Sequence, residues 1–213
     1  MPASSLARAL LAASVSAVLL GCGPRLASDG IGRAMTPDTP IAPTAINDTL
    51  FDRMVATEAN RMRARHGVAP LDTDPGLARA AAVHARNMAR FRTLSHDLPA
   101  RGQESLGERL RTASVSYRRA GENILSEKVY RIIGAPVSAQ FDGCSFTYAG
   151  SGAPVPMHSY ASLAEAAMAQ WMASPLHRDN LLSPHFRRIG TAFAIDPAGS
   201  ACGDVYLAQV FAD

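Results

Sequence analysis

Ser174-Pro175-Leu176-His177 sets a hydroxyl three residues before an imidazole, the nearest this 213-residue chain comes to a nucleophile beside its base. No G-x-S-x-G elbow accompanies it, and Ser-Pro at a helix boundary reads more simply as a cap. Six histidines could offer imidazole to a metal. Two neutral imidazoles and one carboxylate would hold Zn²⁺ with a water in the fourth position, and such a water reaches a pKa near 7. The H-E-x-x-H pattern is absent, however, and so are a P-loop and G-x-G-x-x-G. His84 lies on the apolar stripe of a helical pattern and reads as a hydrogen-bonded core histidine. The formal net charge of +3, from 21 basic and 18 acidic residues, is too small and too dispersed for a nucleic-acid footprint.

The three cysteines divide into one and two. Residues 9–20 (ALLAASVSAVLL) form an apolar run of about 12 residues, the length of a signal-peptide core and too short to span a bilayer. The run ends in Leu19-Leu20-Gly21-Cys22, which resembles a bacterial lipobox, where lipid is attached to the cysteine and the chain is cut just before it. Residues 1–21 are then expected to be a lipoprotein signal peptide, the alternative being an ordinary signal peptide that happens to contain a cysteine. The mature chain is expected to be an exported protein, anchored in a membrane of the bacterial cell envelope through Cys22, on the periplasmic side or at the cell surface. Export to an oxidising compartment leaves Cys144 and Cys202 as a candidate disulfide, the alternative being two unpaired buried thiols. The bridge would close a loop of about 58 residues, for which chain entropy predicts up to about 4 kcal/mol.

The elements that must position these residues begin after a Pro-, Gly-, Ser- and Thr-rich stretch, 22–46, expected to be a flexible tether. Leu50, Met54, Val55, Ala59 and Met62 fall at helical spacing, with Asn47 or Asp48 as N-cap and Gly67 as stop. Asp74-Pro75 supplies a second N-cap and a proline at the first helical position. Leu77, Ala81, His84, Met88 and Phe91 continue on one stripe. A short helix is expected over about 104–112 and a weak strand over 115–125. Residues 126–160 carry few charges and many Gly, Pro, Ser and aromatic residues, and read as a hairpin or ordered loop. Ser162-x-x-Glu165 is a capping-box pattern for a helix through about Met172, and Ser174-Pro175 ends it and opens another short turn. Two strands follow, 189–195 and 205–211. In the second, Val205, Leu207 and Phe211 alternate with Tyr206, Ala208 and Val210, so both faces are apolar and the strand is expected to be central and covered on both sides. Helices first and strands last predict an α+β fold.

Six motifs in order carry a resemblance. They are Glu58-Ala59-Asn60-x-x-Arg63, His84-Ala85-x-x-Met88-Ala89 with Leu94-Ser95-His96, Gly121-Glu122-Asn123-Ile124, Trp171-Met172-x-Ser174-Pro175-x-His177-Arg178-x-Asn180-Leu181-Leu182, Pro184-x-Phe186-x-x-Ile189-Gly190, and Tyr206-x-Ala208-Gln209-Val210-Phe211. Together they resemble the CAP superfamily (cysteine-rich secretory proteins, antigen 5 and pathogenesis-related proteins), in its bacterial SCP-domain branch. The resemblance implies an α-β-α sandwich over 47–213, with helices on both faces of a small, mainly antiparallel sheet, and it marks 126–160 as an insertion. It also implies a cleft with His96, His177 and Glu122, which in some members hold a divalent cation, zinc foremost; Glu122 is the candidate catalytic carboxylate. Ser174 stands where eukaryotic members carry the second acid, and Asn180 lines the same cleft. Without a metal, His96 and His177 are expected to hydrogen-bond Glu122 and simply brace the cleft. Two functions stay open: a non-enzymatic envelope module binding a lipid or protein ligand, and a metal-dependent hydrolase or peptidase acting on envelope material. Ser174 in the acid's place favours the first.

Overall fold

The computed structural model describes residues 34–132, 134, 136–140 and 144–213. Cys22, its lipobox and the signal peptide lie outside the described residues. Met35–Asp213 forms one compact unit.

A four-stranded sheet is the middle layer, with strands β1 (Asp72–Thr73), β2 (Ala120–Lys128), β5 (Arg188–Asp196) and β6 (Asp204–Ala212) in the order β1-β5-β6-β2. The β5–β6 and β6–β2 pairs are antiparallel, and the short β1 is parallel to β5. Strand β6 is therefore internal, as its two apolar faces predict. Val205, Leu207 and Phe211 enter one core with Phe51 and Val55 of helix α1 (Asp48–Arg65) and Leu163 and Trp171 of helix α4 (Tyr160–Ala173). Tyr206, Ala208 and Val210 enter the other, against Leu77, Ala81 and Met88 of helix α2 (Pro75–Phe91) and Leu110 of helix α3 (Leu106–Thr112). The two-residue alternation of a strand feeds both layers, and the result is the expected sandwich. Trp171 is fully buried, a burial whose loss to alanine costs about 3–5 kcal/mol in comparable cores. Helix α2 approaches β5 so closely that a Cβ on Gly190 would stand 2.1 Å from the Ala78 nitrogen. Only glycine fits there.

The helix signals in the sequence act at the positions they mark. Asn47 caps α1 by accepting from the Leu50 N–H, and Asp74 caps α2 by accepting from Gly76 and Leu77, with Pro75 in the first turn. Helix α3 opens with a capping box between Ser105 and Glu108. Among the described residues no helix is long and apolar enough to cross a membrane.

Some expectations are corrected. The helix expected to open at Ser162 opens at Tyr160; its box joins Ser159 and Ser162, so Ser162 closes a cap set three residues earlier. The strand expected over 115–125 runs over Ala120–Lys128 instead, because its register is set by β6, with Ala120 opposite Ala212 and Lys128 opposite Asp204. The tether expected over 22–46 does not include its last residues. Ile41 is fully buried, its N–H donates to the His158 carbonyl at 2.8 Å, and the Tyr160 hydroxyl takes the Asn47 N–H at 2.7 Å, so this stretch is docked on the start of α4. The insertion contains the hairpin β3 (Val137–Gln140) and β4 (Ser145–Tyr148), and a disulfide joins Cys144 to Cys202 in the turn between β5 and β6.

Candidate functional site

At the centre of the candidate site is Glu122, three residues into β2 and only 7% exposed. A buried carboxylate needs compensation, and this one is compensated on both oxygens. Arg109 of α3, itself sealed from solvent, reaches them with Nη2 at 3.0 and 2.9 Å. The same guanidinium donates to the carbonyls of His96, Gln103 and Glu104, so it also fixes the loop that carries His96. His96 Nδ1 lies 2.9 Å from Glu122 Oε1. The hydrogen bond to Glu122 raises the His96 pKa, and partial burial opposes it. The His96 side chain is half-exposed, with its Nε2 directed to no partner among the described residues.

His84 completes the cluster from below. It projects from α2, is fully buried, and holds Nε2 at 3.6 Å from Glu122 Oε1. Neither ring nitrogen attains a hydrogen bond, although the Ser95 backbone also lies close. The expectation of a core histidine holds: the ring is fully buried, with Glu122 Oε1 at 3.6 Å and the Ser95 backbone as its polar neighbours. Burial pushes its pKa down to about 4, with Arg109 and His96 adding to the effect and Glu122 opposing it. His84 is neutral at neutral pH.

His177 lies on helix α5 (Pro175–Leu181). Partial burial lowers its pKa, and the charge of His96 lowers it further, so the two imidazoles share one neighbourhood. No hydrogen bond or ion pair joins the His177 ring to Glu122 among the described residues. The link runs through backbone and amides. Asn123 Nδ2 donates to the His177 carbonyl at 3.1 Å, and Asn180 Nδ2 donates to Asn123 Oδ1 at 2.9 Å and to the Glu122 carbonyl at 3.3 Å. Gln209 of β6 anchors Asn123 from beneath. Arg63, fully buried in α1, donates to the carbonyls of Leu181 and Ser183 and so holds the end of α5. Ser174 occupies the N-cap position of α5, yet its side chain makes no cap bond and no bond to His177.

Arg109 and His84 are the site residues that sequence reasoning missed. Each carried a signal: a titratable side chain on the apolar side of an amphipathic helix, which demands a buried partner. Leu94 and Leu176, close in sequence to His96 and His177, are exposed at 47% and 79%. They give the stretches around the two imidazoles an apolar character.

Residues 57–211 match the model of the cysteine-rich secretory protein family, CAP. A Bacillus subtilis (strain 168) protein, YkwD, is 25% identical over 158 residues, which are 74% of this chain and 47% of YkwD. An extracellular protein containing an SCP domain from Bacillus anthracis superposes with a TM-score of 0.54 at 22% identity, over 82% of this chain and 44% of that one. An outer surface protein from Borrelia burgdorferi gives 0.53 at 15% identity, over 79% of this chain and 96% of that one. The chain thus spans about half the length of the two bacillar relatives.

Proposed function

Because the chain belongs to the cysteine-rich secretory protein (CAP) family, we propose that it is an exported envelope lipoprotein, anchored through Cys22, whose domain binds a lipid or protein ligand at the His96–His177 cleft rather than hydrolysing it. One observation carries the choice between binding and hydrolysis. Arg109 reaches both oxygens of Glu122 and His96 reaches one, with the side chain only 3% exposed, which supports a carboxylate that braces the cleft over a base open to water. The descriptions of the Bacillus anthracis and Borrelia relatives as extracellular or outer-surface proteins support export. The exposed Leu94 and Leu176 support an apolar or amphipathic ligand.

A divalent cation, zinc foremost, would use His96 Nε2 and His177, with Glu122 orienting His96 through Nδ1 as carboxylates orient histidine ligands. The described residues contain no group of three His, Cys, Asp or Glu placed to hold a metal, whereas a catalytic zinc takes three protein ligands. The donor set therefore does not fit a catalytic zinc, and no reaction step is routed through one.

The test is binding of phospholipid vesicles by the Cys22→Ser chain, which cannot borrow affinity from its own lipid. Leu94→Asp with Leu176→Asp should abolish co-sedimentation, and Glu122→Gln should leave it largely intact. Peptide or ester hydrolysis that disappears in Glu122→Gln would replace this reading with the hydrolase. Mass spectrometry of membrane-extracted protein should find a diacylglyceryl group on Cys22, and a mature N-terminus elsewhere would remove the anchor.

A further inference from the structure

A second pocket lies away from the cleft, between the first turns of α1 and α2, with a volume of about 380 Å³. Asp48 and Asp52 line it from α1, Thr73 from β1, and Ala78 and Ala82, one helical turn apart, from α2. The feature that asks for an explanation is Asp52. It is only 8% exposed. Its Oδ1 accepts the Thr191 N–H at 2.7 Å, the first residue after the glycine that lets α2 approach β5. Its second oxygen receives no hydrogen bond, and no cation pairs with it among the described residues.

The nearby charges do not resolve this. Asp74 is committed to Arg188 and to capping α2. Arg79 sends its guanidinium away to the Ala113 carbonyl, so its stem rather than its head lines the pocket. Arg53 borders the pocket from the exposed side of α1, and Arg86 acts on Asp48 rather than on Asp52. Burial is the main cause that pushes the Asp52 carboxyl up to about 6, with Asp48 and Asp74 adding to it and the Thr191 N–H opposing. A mostly buried carboxylate whose second oxygen stays accessible from the pocket, a second carboxylate beside it and a small-residue apolar floor suit a cation with hydrogen-bond donors and a short apolar body.

We propose that the α1–α2 pocket binds a primary ammonium carried on a short alkyl stem. The ammonium donates to the free oxygen of Asp52 and to Asp48, and the stem lies along Ala78 and Ala82. Two sources carry that group: a free alkylamine, and the lysine-type side chain of a peptide. A metal cation is the poorer match, since the pocket offers two carboxylates and is otherwise mostly apolar.

The test titrates the full chain, carrying Cys22→Ser for solubility, with n-pentylamine, and follows the Thr191 amide by two-dimensional NMR. A saturable shift is expected with pentylamine and none with n-pentanol or pentanoate at equal concentration. Asp52→Asn keeps an acceptor for Thr191 and should weaken binding at least about tenfold, as loss of a charge-assisted hydrogen bond does. Ala78→Leu fills the floor without touching either carboxylate and should abolish binding even if Asp52→Asn proves unstable. A lysine-containing tripeptide binding tighter than pentylamine supports the proposal with a peptide as source; equal or weaker binding supports it with a free amine. Equal binding of pentanol, binding unchanged by both substitutions, or no saturable shift for any amine would overturn it and leave a pocket filled by water alone.

Discussion

Replacing Arg109 by methionine keeps the aliphatic stem and removes the charge, and it should be among the most damaging single changes in the protein. The structure sets the size of the effect. Arg109 and Glu122 side chains are 0% and 3% exposed, so the ion pair is desolvated, and removing one partner from such a pair costs about 3–5 kcal/mol. The substitution also strips donors from the carbonyls of His96, Gln103 and Glu104. Glu122→Gln should cost less, about 1–3 kcal/mol, because Arg109 keeps those same carbonyls. The double variant Arg109→Met with Glu122→Leu should be more stable than Arg109→Met alone, since no buried charge is left uncompensated. Urea unfolding followed by circular dichroism reads all of these. A loss of about 4 kcal/mol at a slope of about 2 kcal/mol/M moves the midpoint by about 2 M. If Arg109→Met costs under about 1 kcal/mol, or if Glu122→Gln costs more than Arg109→Met, the pair is not the brace described above.

Two buried groups titrate in the same acid window with opposite signs. His84 has its folded pKa depressed to about 4, so the unfolded chain binds the extra proton and stability falls as pH drops from about 6.5 toward 4. Asp52 is raised to about 6, so the folded chain binds the extra proton and this carboxyl stabilises as pH drops through the same range. Asp52→Asn should therefore make the acid loss of stability steeper than in the unsubstituted chain, and His84→Asn should make it shallower; parallel pH curves would contradict both assignments. Replacing Cys144 and Cys202 together by serine should lower the unfolding free energy by about 2–4 kcal/mol and steepen the urea slope, because the unlinked chain unfolds to a less compact state, and an unmoved midpoint and slope would show the bridge to be dispensable. Isothermal titration with Zn²⁺ should show His96→Ala and His177→Ala each eliminating any binding, with Glu122→Gln weakening it by less; tight binding that survives His177→Ala would place the cation elsewhere.

The parts of the fold that were legible in the sequence are those set by local rules. Asn47, Asp74 and Pro75 announce helix starts whatever the tertiary context, and the double alternation in 204–212 identifies a strand covered on both faces. What was not legible depends on partners distant in sequence. The register of β2 follows from β6, about 80 residues on, and the docking of Ile41 follows from α4. The site divides in the same way. His96, Glu122 and His177 could be named because their motifs resemble a known family. Arg109 could not, and His84, although part of one motif, read only as core, since the role of each depends on which buried carboxylate it meets.

Strand β6 has one more consequence, which concerns timing. It is the sheet's internal member and the last strand in chain order, and both apolar layers close against it. A chain made from its amino end presents α1, α2 and α4 before the strand that both apolar layers close against exists. Cys202 arrives only shortly before β6, so Cys144 likewise waits unpaired until then. Neither apolar layer is complete until this carboxy-terminal strand is present, so the fold closes late in chain order.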